Sequence, residues 1–170
     1  MTLTILTYPD KRLKQVSKNV TEFDDKLHEL LDEMNSVMLA SNGIGLAAIQ
    51  VNYPINVLIL NIPNDEGEQP PENLIEIINP VIIKTEGMTT YQEGCLSVPG
   101  FYEDVERFDK VSINYQDRYG NTKTLDTDEL LAIAIQHEMD HLAGKLFIEK
   151  LSYARRKKFE KEYKRAQKEK

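Results

Sequence analysis

A chain of 170 residues, 41% hydrophobic and 29% charged, has ordinary globular usage and can close a core in one domain without disulfides, which excludes a disordered or fibrous chain. Its longest purely apolar run, LLAIAI at 130–135, is too short to cross a bilayer, and MTLTILTYPDKRL lacks the regions of a secretory leader, so we expect a single cytoplasmic domain over residues 1–170 with no membrane partner. The net charge of −7 is uneven: residues 150–170 hold ten Lys or Arg against three Glu, net +7, and the others 11 basic against 25 acidic groups, net −14.

In chain order, TYPDKRLKQVSKNV shows neither helical nor strand periodicity and reads as an irregular arm. Leu27, Leu30, Leu31, Met34 and Met38 recur at three and four, predicting a helix from about Asp24 to Leu39 that Ser41-Asn42-Gly43 stops. GIGLAAIQ reads as an extended segment opened by glycine, PINVLILNI as a buried strand, and NDEGEQPPEN as an exposed acidic loop. Four short strands are expected around IEIINP, VIIKTEGMT, YEDVER and KVSINYQD, with a hairpin turn at Arg118-Tyr119-Gly120-Asn121. Asp126 or Thr127 would cap a helix from about Asp128 to Ala143 that Gly144 ends. A last, basic helix covers about Tyr153 to Lys168.

The chemistry concentrates in QHEMDHLAG. His137 and His141 are four residues apart, hence on one helical face where two imidazoles can grip one ion, and Glu138 follows the first. Leu130, Ile133 and Ala134 precede His137 by seven, four and three residues, so the pair ends an apolar stripe rather than a solvated face. A catalytic site of this kind uses three protein ligands and one open position. Cys95, the sole cysteine, is a candidate third ligand, although a lone cysteine is often a small buried hydrophobe. Three alternatives stay open on the residues alone: a zinc endopeptidase with Glu160 as third ligand, a structural zinc module, and a hydrolase with Cys95 as nucleophile.

GIGLAAIQ at 43–50, EGCLS at 93–97 and QHEMDHLAG at 136–144, with PDKRLKQVS near the start, resemble the ordered motifs of the peptide deformylase family over nearly the whole chain. The resemblance implies an α+β fold, with antiparallel or mixed β-sheets packed around a central metal-binding HExxH helix and a C-terminal helix. It implies removal of formyl from nascent peptides that begin with formyl-methionine. By the same resemblance Cys95, His137 and His141 hold one divalent ion, Fe²⁺ natively, while the donor set also suits Zn²⁺, Ni²⁺ or Co²⁺. Glu138 would be the general acid and base, and the Gln50 amide with the Leu96 N–H would receive the oxyanion. Leu130, Ile133 and Ala134, with Ile44 and Tyr91, are the candidate methionine pocket, and Gly45 and Gly94 would let the peptide pair as an added strand. Many relatives carry a basic residue shortly after CLS, where this chain has Phe101-Tyr102-Glu103. The basic helix at 150–170 is expected to touch ribosomal RNA through phosphates, with no sequence-specific nucleic-acid binding.

Overall fold

The computed structural model describes residues 3–169, so residues 1, 2 and 170 of the expected domain lie outside it. The order of elements is α1 (Asp25–Ala40), β1 (Gly45–Ala47), β2 (Val57–Asn61), β3 (Leu74–Cys95), β4 (Val98–Gln116), β5 (Thr122–Asp128), α2 (Glu129–Leu142) and α3 (Tyr153–Lys168). The strands form one antiparallel sheet in the order β1-β2-β3-β4-β5, so the fold is α+β.

Helix α1 starts where Asp24 accepts a hydrogen bond from Leu27 N–H at 3.1 Å, and the five residues predicted to face inward are buried. At its end Asn42, not Gly43, takes the left-handed conformation, and Gly43 N–H returns to Met38 C=O at 2.9 Å. GIGLAAIQ splits: β1 is only Gly45–Ala47, and Ala48–Val51 turns as a 3₁₀ helix that carries Gln50.

The four short strands expected in the middle are two long ones. Asn79-Pro80 reads as a breaker, yet Asn79 adopts φ +53 within β3 and its side chain ties the strand to distant parts of the chain. Its carbonyl accepts from Val20 N–H at 2.8 Å, and its amide donates to Val20 C=O and Gln116. The pairing with β4 shifts there and resumes at Val81. Strand β5 runs through Asp126 and Thr127 to Asp128, so neither caps α2. Asp128 holds the N-cap position, and its side chain makes no capping bond.

Three apolar clusters hold the chain together. The first packs α1 on β1 and β2, and the second packs the sheet on α2 through Ala47, Ile49, Leu58, Ala132 and Ile135. The third joins Leu6 and Leu13 of the arm to Val98, Val105, Phe147 and Phe159. There Phe159 and Tyr163 meet Tyr8 edge-on at 5.4 and 5.0 Å, and Tyr163 Oη donates to Tyr8 C=O at 3.1 Å. The arm is tied to the site by Leu6 N–H to Gln50 C=O and Tyr8 N–H to Ser97 C=O, both 2.7 Å. Helix α3 thus closes the third cluster with one face and exposes Lys157, Lys161, Lys164 and Lys168 on another.

Candidate metal centre

Two elements deliver three donors to one point. One turn of α2 presents His137 and His141, and the end of β3 presents Cys95 just before the strand reverses into β4. Sγ of Cys95 and Nε2 of His137 each lie 3.3 Å from Nε2 of His141, and all three atoms are within 4.8 Å of one another. One cysteine sulfur and two imidazoles, all from side chains that are buried or half-buried, make a donor set suited to a divalent transition metal and would leave a fourth position for a reactant. The residues fit such an ion.

The imidazoles are aimed from behind. His137 Nδ1 lies 2.8 Å from Glu93, whose carboxylate also takes two bonds of 2.7 Å from the Arg107 guanidinium. Arg107 reaches on to Asp140 at 2.5 Å. Burial alone would raise the Glu93 pKa, but the bonds from Arg107 and His137 outweigh it and lower it. An ionised carboxylate only accepts, so Nδ1 of His137 is the donor to Glu93, and the neutral form of the ring turns a bare Nε2 to the donor cluster. Burial would depress His137, but Glu138, Cys95 and Glu93 outweigh it and raise it well above the usual imidazole value. His141 moves the other way, well below that value, through burial and then the charges of His137 and Arg107.

Glu138 is 5% exposed, and its Oε1 has no hydrogen-bond partner among the described residues. Burial pushes its carboxyl up to about 7, against the opposing charge of His137. A Cβ at Gly45 would come within 2.6 Å of Glu138 Oε2 and 2.7 Å of Leu60 Cδ2, so glycine there makes room for the carboxylate. Gln50 is fixed at both ends of its amide: Oε1 accepts from Ala47 N–H at 2.9 Å, and Nε2 donates to Ser97 Oγ at 3.0 Å and faces Cys95 Sγ at 3.6 Å.

A cleft of about 460 Å³ opens over this cluster. Of the sequence-predicted residues, Ile44, Gly45, Gln50, Tyr91, Gly94, Cys95, Leu96, His137 and Glu138 line it. Leu130 is half-buried, Ile133 and Ala134 are buried, and none of the three is in the lining. Ala134 packs in the cluster between α2 and the sheet. Glu160, the alternative ligand, sits on α3 and pairs with Arg156 and Lys157 at 3.7 Å. Sequence reasoning passed over Glu93, Ser97, Arg107 and Asp140. Arg107 had a signal: it occupies the inward phase of Val105, Val111 and Ile113 on β4, where a charge needs a buried partner.

Comparison with known proteins finds relatives over nearly the whole chain. Residues 2–157 match the family model described as polypeptide deformylase. A peptide deformylase of Helicobacter pylori strain P12 is 58% identical over 166 residues, covering 98% of this chain and 95% of the relative. A crystal structure of a Legionella pneumophila peptide deformylase superposes with a TM-score of 0.89 at 36% identity, covering 100% of this chain and 99% of that one. A class I type b peptide deformylase from Acinetobacter baumannii with Met-Ala-Ser bound gives 0.82 at 32% identity, with coverage of 89% and 99%.

Proposed function

The chain belongs to the polypeptide deformylase family, metal-dependent hydrolases that take the formyl group from nascent peptides, and from that premise we propose how its own residues perform the reaction. The observation that carries the reading is the convergence of Cys95, His137 and His141 beneath a cleft whose wall holds an unpartnered Glu138. Cys95, His137 and His141 hold one divalent ion, Fe²⁺ natively, with Zn²⁺, Ni²⁺ and Co²⁺ as substitutes that the same donors accept. When bound, the ion supplies Lewis acidity and lowers the pKa of a bound water.

Glu138 takes the proton of the attacking water on its free oxygen and returns it to the leaving amine, so that formate and a free N-terminus result. One N–H of Gln50 is held by Ser97; the other, with the backbone N–H of Leu96, receives the oxyanion that forms at the formyl carbon. Because the Gln50 amide is already fixed by Ala47 and Ser97, little reorganisation accompanies the reaction.

The peptide lies along the edge of β3 that β4 leaves free, between Gly45 and Gly94, with its methionine side chain beside Ile44 and Tyr91. Leu130, Ile133 and Ala134 support α2 behind that pocket. A peptide beginning with methionine, Met-Ala-Ser, is what the Acinetobacter relative holds. The exposed lysines of α3 dock the enzyme to ribosomal phosphates, where formylated chains emerge in the cytoplasm. No helix among the described residues is long and apolar enough to cross a membrane.

The test is formate release from a formyl-methionyl peptide by anaerobically prepared protein, with metal analysis of the same sample and of Cys95→Ser. Activity with about one iron per chain, and loss of both in Cys95→Ser, is the expected result. Metal retained in Cys95→Ser would remove Cys95 from the ligand set.

A further inference from the structure

We propose that Tyr102 sets the preference of this enzyme at the second residue of the formylated peptide, favouring aromatic and large aliphatic side chains over acidic ones; the inference rests on the deformylase reading of the cleft. Tyr102 is 64% exposed and lines the cleft. Its ring lies over the backbone of Gly94, where an added Cβ would come within 2.6 Å of Tyr102 Cδ1. One face of the ring thus covers the strand edge that the peptide joins, and the rest is bare.

The register decides which peptide side chain meets it. Glu93 pairs with Glu103 and Gln92 with Asp104, so Glu93 and Glu103 share one face of the ribbon while Gly94 and Tyr102 share the other. Glu93 reaches His137, so its face is the one turned to the metal helix. A peptide added as a strand along β3 sends successive side chains to opposite faces. Methionine, turned toward the His137 side, leaves the next side chain on the face of Tyr102.

The chemistry of that face follows from its residues. A bare phenol ring attracts an aromatic or aliphatic group. Asp104, exposed on the same face two residues along β4, repels a carboxylate. Arg155, a nearby cation, is occupied by Glu103 at 4.0 Å and by Asp104 C=O at 3.4 Å. A purely structural Tyr102 would only shield the cross-strand glycine, and that service does not depend on the peptide.

The experiment measures formate release from formyl-Met-Phe-Ala, formyl-Met-Gly-Ala and formyl-Met-Asp-Ala by the metal-loaded full chain and by Tyr102→Ala, Tyr102→Leu and Tyr102→Arg. In the parent protein kcat/KM should rank Phe above Gly above Asp. Tyr102→Ala should lower the Phe-to-Gly ratio roughly three- to tenfold, chiefly through KM. Tyr102→Arg should raise Asp relative to Phe. Tyr102→Leu keeps an apolar cover on Gly94 and carries the ratio test if Tyr102→Ala does not fold. Ratios that stay at parental values in Tyr102→Arg and in a folded Tyr102→Ala or Tyr102→Leu, as they do if kcat/KM falls equally for all three peptides, overturn the proposal while leaving the deformylase reading intact. No formate from any peptide with the parent protein defeats the deformylase reading itself.

Discussion

Glu93 Oε1 and His137 Nδ1 lie 2.8 Å apart, and Arg107 holds the same carboxylate in a two-bond fork from the other side. A surface residue could not fix an imidazole this way; Glu93 and Arg107 are each 4% exposed and cannot exchange their bonds for water. We expect Glu93→Gln to weaken metal binding roughly 10- to 100-fold, since the outer partner of a ligating histidine contributes at about that level. Titration of the metal-free protein with Zn²⁺, read against a competing chelator, checks this; an unchanged affinity would show that His137 is oriented by α2 alone.

Glu138→Gln preserves the volume and the neighbours of the carboxylate but removes its proton chemistry. Metal content should stay at the parental level while kcat for formate release falls roughly 10²- to 10⁴-fold. Near-parental turnover would exclude Glu138 as the proton carrier.

Gly45→Ala tests the room left for that carboxylate. The new methyl meets Glu138 Oε2 and Leu60 Cδ2, the second a packed core atom that cannot yield freely. We expect a loss of roughly 1–3 kcal/mol in stability and, with Glu138 displaced, a fall on the order of 10²-fold in kcat. Melting curves and formate release on the same sample separate the two. A variant with parental stability and turnover would mean that Glu138 has another resting place.

The basic face of α3 can be examined without cutting the chain. Truncation after Lys158 removes Phe159, which is 2% exposed and wedged between Tyr8 and Phe101, so it would unmake the third cluster. Lys161→Glu, Lys164→Glu and Lys168→Glu together leave that cluster alone. They should abolish salt-sensitive co-sedimentation with ribosomes and leave hydrolysis of a short formyl peptide near the parental rate. Unchanged co-sedimentation would reject the anchor.

Asp117 gives a pH dependence whose sign is fixed. Burial would raise its pKa, but the N–H groups of Asn121 and Tyr119 and the Asn121 amide hold it below the usual carboxylate value. A lowered folded-state pKa stabilises the turn above the unfolded value of 3.8 and loses that contribution as pH falls through the folded one. The melting temperature of Asp117→Ala should therefore trail the parent at pH 7 and converge with it in acid. A gap that widens in acid would contradict the assignment.

The sequence made the helices and the donors legible, and left their supports out of sight, for a physical reason. Periodicity reports a face, so α1, with its buried leucines and methionines, and α3, with Phe159 and Tyr163, were readable from spacing alone. The break expected between IEIINP and VIIKTEGMT falls at Asn79-Pro80, but a ladder of partners on β4 carries β3 through it. His137, His141 and Cys95 announce themselves by residue type and motif. Arg107 does not, because its role exists only once β4 is laid beside β3 and under α2, bringing Glu93 from 14 positions away and Asp140 from 33.

Tyr163 bonded to Tyr8 joins two points 155 positions apart in the chain. The segment from Leu6 to Tyr8 bonds Gln50 and Ser97, and Tyr163 can close over it only after the chain through Tyr163 has been made. Contacts of such separation form late and slow folding, because a long loop must close before it is rewarded. The contact that covers the Leu6–Tyr8 segment thus draws on nearly the full length of the chain.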